Sequence, residues 1–183
     1  METINFFVES LKNFKDIGAV TPHSPTAVRK MIEPIDFGKA KTIIELGGGT
    51  GAVTKEILKR LASDAKLTVF ESNSNFAKVL KNIGDARLMV VEDSAANMTD
   101  RLRNMGIQKS DYVISTLPIA IMENGVSEKI LEAVKNILAP KGKYVQIQYS
   151  LISRKRIKEK FGNIKLNFTL LNFPPAFFYI CER

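Results

Sequence analysis

The segment Glu45-Leu46-Gly47-Gly48-Gly49-Thr50-Gly51-Ala52-Val53 limits what this chain can fold into more than any other. It follows the apolar run Thr42-Ile43-Ile44 and leads into Val53, Ile57, Leu58 and Leu61, which recur at helical spacing. An apolar strand, an acid, alternating glycines and then a helix predict a tight strand-turn-helix crossing at a nucleotide site. Gly47, Gly49 and Gly51 lack the Cβ atoms that would prevent a sharp turn and hold a ligand away from the backbone. The spacing is G-x-G-x-G led by Glu45, not the G-x-G-x-x-G that cradles dinucleotides.

The rest of the chain keeps the same rhythm. Leu67–Glu71 reads as a short buried strand ending in an acid. Phe76, Val79, Leu80 and Ile83 mark a helix capped by Ser74 or Asn75 and stopped by Gly84. Strands at Arg87–Val91 and Tyr112–Ser115 flank a helix near 95–104. A further helix over 125–138 stops before Pro140-Lys141-Gly142, and Tyr144–Tyr149 forms strand five. Strands alternating with helices predict a parallel sheet covered on both faces. The tail breaks the pattern with a basic helix at 153–161 and two β-rich runs, Ile164–Leu171 and Ala176–Cys181, an antiparallel finish. The expectation is one α/β domain over 1–183: a Rossmann-like sheet of seven strands, mostly parallel, built from 42–183, with a helical cap at 1–41. In that cap Ile4, Phe7, Val8, Leu11 and Phe14 fall on one helical face, and a second helix runs from Pro25 to about Ile35.

The Glu-led glycine loop, the acids ending successive strands and the antiparallel finish resemble class I S-adenosylmethionine (SAM) methyltransferases. The resemblance covers about residues 42–183. It implies SAM as cofactor and S-adenosylhomocysteine as product, held where the strands run out. Glu45, Gly47, Gly48, Gly49 and Gly51 would carry the backbone against the methionine and ribose. Glu71, with Ser72 beside it, would accept the ribose hydroxyls, and Asp93 with Ser94 would meet the adenine. Ser115, Thr116 and Leu117 would lie beside the sulfonium.

Further segments narrow the resemblance. Gly18-Ala-Val-Thr-Pro-His-Ser-Pro25, Ser115-Thr-Leu-Pro-Ile119, Tyr144-Val-Gln-Ile-Gln-Tyr149 and Asn172-Phe-Pro-Pro-Ala176 resemble the bacterial phospholipid N-methyltransferases. Those enzymes methylate phosphatidylethanolamine, in some members as far as phosphatidylcholine. Thr116 stands where their S-G-L-P pattern has glycine, which narrows the space near the methyl group. The rRNA adenine dimethylases are similar at greater distance and are the rival reading. Their N-L-P-Y is replaced here by Thr116-Leu117-Pro118-Ile119, without the asparagine that meets the base or the aromatic that stacks on it.

Methylating a lipid amine requires a free lone pair, and deprotonating an alkylammonium at pH 7 costs about 4–5 kcal/mol. His23, the only histidine, is the residue with a suitable ordinary pKa. Tyr149 is placed to orient the amine and Phe173 to wall the site. Arg29 and Lys30, with Arg154, Lys155 and Arg156, are the candidate partners of a lipid phosphate.

Composition agrees with an anionic partner. The net charge is +8, and residues 141–183 hold nine Lys/Arg against Glu159 and Glu182. So concentrated a field favours an acidic lipid surface, with nucleic acid as the alternative. One cysteine, Cys181, excludes an intrachain disulfide and, with one histidine, argues against a protein-held transition metal. The chain opens with an acidic residue and lacks a basic leader, and its apolar runs are short. A cytoplasmic protein held peripherally on the inner membrane face is the expectation. The sequence is silent on oligomeric state.

Overall fold

The computed structural model describes residues 23–172 and 174–183. The expected helix around Ile4–Phe14, the first residues of the Gly18–Pro25 segment and Phe173 lie outside the described residues.

Seven strands form one sheet in the order β3-β2-β1-β4-β5-β7-β6. These are β1 (Thr42–Leu46), β2 (Lys66–Phe70), β3 (Leu88–Val91), β4 (Ser110–Ser115), β5 (Leu138–Gln148), β6 (Ile164–Thr169) and β7 (Ala176–Glu182). β1 to β5 pair in parallel, and β7 lies antiparallel between β5 and β6. Strand order reverses between β1 and β4, which opens the crevice where such sheets bind ligands.

Two cores lie on the two faces of the sheet. On one, α1 (Pro25–Ile32), α2 (Ala52–Arg60) and α3 (Ser74–Lys81) pack over Ile43, Val69, Ile114, Val145, Ile147 and Phe178. On the other, α4 (Met98–Asn104), α5 (Asn124–Ile137) and α6 (Arg154–Phe161) cover Ile44, Leu46, Val113, Tyr144, Tyr179 and Cys181. Neighbouring residues such as Ile43 and Ile44 face opposite layers, so the apolar residues of a parallel strand run consecutively instead of alternating.

Several boundaries differ from the sequence expectation for identifiable reasons. α1 stops at Ile32, not Ile35: Glu33 keeps right-handed helical geometry as the C-cap, and Pro34, which has no N–H to donate, does not continue the ladder. The cap of α3 is Asn73, whose Oδ1 accepts from the backbone N–H groups of Asn75 and Phe76 at 2.9 and 3.3 Å. The largest change is at Pro140-Lys141-Gly142, expected as a loop. These residues belong to β5, because Lys141 N–H donates to Arg183 O and Arg183 N–H to Gly142 O, each at 3.0 Å. Lys141 accommodates the irregularity with a φ of 64°.

Candidate functional site

The glycine loop has the geometry its spacing demands. Gly47, Gly49 and Gly51 take φ values of 81°, 51° and 80°, a region that L side chains avoid. Gly48 is required for a different reason, since a Cβ there would lie 2.5 Å from Val69 Cγ1 and 2.7 Å from Leu80 Cδ1. No atom comes within 4 Å of a Cβ built on Gly49, so the loop presents open backbone at that point.

Two of the expected cofactor acids, Glu71 and Glu45, meet at this loop. Glu71 is buried at the end of β2 and accepts from Gly49 N–H through Oε2 and from Asn73 N–H through Oε1, both at 2.8 Å. Ser72, next along, is exposed. Glu45 is wholly buried under the loop; its Oε2 accepts from Thr54 Oγ1 at 2.8 Å and its Oε1 has no partner. Burial, opposed by the Thr54 hydrogen bond and reinforced by the charge of Glu71, pushes the Glu45 carboxyl up to about 8. Glycines that leave the backbone open, above a buried carboxyl with one oxygen still unpartnered, fit a nucleoside ligand.

The raised pKa has a consequence for stability. Glu45 ionises near its ordinary value of 4.5 in the unfolded chain but only near 8 when folded, so its own contribution to stability is full below pH 4.5 and is lost as pH rises to 8. The loss is on the order of 5 kcal/mol. Glu45→Gln is therefore expected to match wild type near pH 5 and to unfold at a clearly higher temperature near pH 8. Parallel melting curves across that range would contradict it.

Asp93 and Ser94 follow β3 as anticipated. Asp93 accepts from Ser94 N–H and Asn97 Nδ2 through Oδ1 and from Arg101 Nε through Oδ2, at 2.7, 2.9 and 2.6 Å. Those bonds, Asn97 foremost, hold its carboxyl below the usual range. Ser94 Oγ accepts from Ala96 N–H and so starts the turn that follows.

At the end of β4, Thr116 Oγ1 donates to Gly47 O at 2.6 Å and clips the glycine loop to its neighbouring strand. Ser115 Oγ accepts from Leu117 N–H at 3.3 Å. The Leu117 carbonyl accepts from both Gln146 Nε2 and Gln148 Nε2 at 2.9 Å. The two glutamines alternate along β5 and fix the Ser115–Pro118 turn from one side. Sequence reading treated strand five as a whole and passed over them; polar residues inside an otherwise apolar strand were the available signal.

Tyr149, immediately after β5, points to the opposite face. Its hydroxyl lies 3.0 Å from His23 Nδ1, bringing together residues 126 positions apart. Burial lowers the pKa of His23 and pushes Tyr149 up to about 12, so both are neutral at pH 7. Asn172, also missed from sequence as a site residue, holds this corner together: its Oδ1 accepts from Ser24 N–H at 2.9 Å. Ser24 Oγ in turn donates to Leu171 O at 2.6 Å and caps α1 by accepting from Ala27 N–H.

The candidate phosphate partners separate in space. Arg29, with His23 and Val28, lines a cleft of about 740 Å³ whose far wall includes Lys55, Lys59 and Ile83. Lys30 is half-buried on the same helix, whereas Arg154 and Lys155 are exposed at the start of α6. Arg156 is committed elsewhere: Nη1 donates to Ser127 Oγ at 2.7 Å, Nη2 donates to Asn124 Oδ1, and Nε lies 3.5 Å from Glu128 Oε1. It fastens α6 to α5. Among the described residues no three His, Cys, Asp or Glu side chains gather as a metal site would need.

Residues 15–136 match the family model described as ribosomal RNA adenine dimethylase. The chain belongs to that family of class I SAM-dependent methyltransferases. It is 31% identical over 184 residues to an ornithine lipid N-methyltransferase of Singulisphaera acidiphila, with 97% of this chain and 96% of that one aligned. The fold recurs in a putative O-methyltransferase from Klebsiella pneumoniae, with a TM-score of 0.70 at 14% identity over 96% of this chain and 89% of that one. It recurs also in an rRNA methylase from Streptococcus thermophilus, with a TM-score of 0.65 at 15% identity over 90% and 99%. This methyltransferase thus shares its architecture widely and aligns over nearly its whole length with an ornithine lipid N-methyltransferase.

Proposed function

We propose that this methyltransferase transfers methyl groups from SAM to the amino headgroup of a membrane lipid, phosphatidylethanolamine on the way to phosphatidylcholine, at the cytoplasmic membrane face. The observation that carries the lipid class is the end-to-end likeness to the ornithine lipid enzyme. The stretch shared with the rRNA adenine dimethylase model ends at residue 136, before Gln146, Gln148, Tyr149 and Asn172. The lipid relative aligns with nearly the whole chain.

SAM supplies the methyl group and leaves as S-adenosylhomocysteine. The chain supplies a place for the amine and its proton. With His23 neutral, Tyr149 donates its O–H to Nδ1, leaving phenolic lone pairs to accept an N–H from the substrate amine. As the nitrogen gives up its proton, Tyr149 Oη takes it and passes its own to His23 Nδ1. Both groups end in chemically accessible forms, because each starts neutral. Arg29, in the cleft that reaches His23, is the best-placed of the expected phosphate partners, and Thr116 and the glutamine pair keep the loop beside the sulfonium in register.

A labelled-methyl assay decides among substrates. The protein, methyl-labelled SAM and separate preparations of phosphatidylethanolamine, ornithine lipid and unmethylated rRNA are incubated, and each is extracted. Label in phosphatidylethanolamine is expected; label in ornithine lipid alone would move the headgroup, and label in RNA alone would overturn the lipid class.

A further inference from the structure

We propose that the loops following β5 and β6 form a bilayer-contact surface that sets the methyl-transfer corner against anionic lipid headgroups; this rests on the lipid reading above. β5 pairs antiparallel with β7, and β7 with β6, so Gln148 lies opposite Phe177 and Thr169 opposite Ala176. The chain therefore leaves β5 and β6 at the same end of the sheet. That end also holds Tyr149 and His23, and Ser24 Oγ is bonded to the carbonyl of Leu171 at the β6–β7 turn.

Both loops carry aliphatic side chains to solvent. Leu151 and Ile152 are 43% and 54% exposed, Leu170 and Leu171 72% and 71%. Turns are ordinarily built from Gly, Asn, Asp, Ser and Pro, so a Leu-Leu tip needs a reason other than turn chemistry. The apolar stripe continues from Leu170 down the edge strand through Phe168 and Leu166, which share one face by the two-residue period of a strand. Phe168 is steadied by Phe177, the ring centroids 4.9 Å apart.

Cations stand beside the β5 loop. α6 begins two residues after Ile152 and opens with exposed Arg154 and Lys155, with Lys158 exposed a turn later. Apolar tips with Arg154 and Lys155 following the first of them complement a layer whose interior is hydrocarbon and whose surface is negative. A second copy of this chain is a poorer occupant, because a two-fold contact would bring these cations against themselves. Single-stranded RNA is poorer too, since the tips offer leucine and isoleucine where base stacking uses aromatic faces.

The test is flotation with vesicles of phosphatidylglycerol and phosphatidylcholine, comparing wild type with Ile152→Asp plus Leu170→Asp. Wild type is expected to float with anionic vesicles in a salt-sensitive way, and the double variant to lose at least tenfold in partitioning. The variant should keep its melting temperature, its affinity for S-adenosylhomocysteine and its activity on detergent-dispersed lipid, which separates docking from substrate class. A second variant, Arg154→Glu plus Lys155→Glu, should weaken flotation without touching the aliphatic tips. Equal flotation of wild type and Ile152→Asp plus Leu170→Asp, no flotation of wild type, or a double variant that loses only dimerisation or RNA binding would each overturn the proposal. If label enters lipid while flotation fails, the docking surface falls and the function stands.

Discussion

Replacing Glu71 by alanine is expected to weaken binding of S-adenosylhomocysteine by two to three orders of magnitude and to abolish turnover at ordinary cofactor concentrations. Two effects act together. The carboxylate is the acceptor for Gly49 N–H and Asn73 N–H at 2.8 Å, so its loss leaves both donors unpaired and frees the glycine loop. It also removes the group assigned to the ribose hydroxyls. Hydrogen bonds to a charged partner contribute about 1.5–3 kcal/mol each, and losing two at the lower end of that range corresponds to roughly 10²–10³ in affinity. Glu71→Gln should fall between, since an amide oxygen still accepts one bond. Titration calorimetry with S-adenosylhomocysteine reads the result directly. An unchanged dissociation constant in Glu71→Ala would remove this end of β2 from the cofactor site.

That the cradle was readable in sequence follows from how local it is. Gly47, Gly49 and Gly51 each need a backbone conformation that other residues avoid, so their spacing encodes the turn without reference to the rest of the fold. Glu71 and Asp93 are legible because a parallel sheet places every strand end on one edge. The β5 boundary was misread because Pro140-Lys141-Gly142 looks like a turn locally, and only the distant Arg183 backbone supplies the partners that make it strand. Arg156 shows the same limit: three basic residues in a row carry no mark of which one Ser127, Asn124 and Glu128 will engage. Gln146 and Gln148 were hidden by the apolar character of their neighbours. His23 and Tyr149 were each nameable from side-chain chemistry, but their 3.0 Å approach depends on α1 packing over the end of β5, which no periodicity records.

That approach carries the second large effect. Tyr149→Phe is expected to lower kcat by about 10²-fold while changing KM for SAM little, because the ring stays and only the proton-accepting oxygen is lost. His23→Gln should cost about 10–10², and the double variant barely more than Tyr149→Phe alone, since the two act as one relay and their losses do not add. pH dependence distinguishes this from simple packing. Burial holds His23 below its ordinary value of 6.5, so the acceptor stays unprotonated at pH 7, and the acid limb of kcat/KM should begin only below that value. In His23→Gln the limb should disappear or move, with the remaining rise toward high pH reporting the substrate amine itself. If Tyr149→Phe and His23→Gln lower the rate independently and leave the acid limb in place, the pair does no more than hold α1 against β5, and the proton leaves the amine by another route.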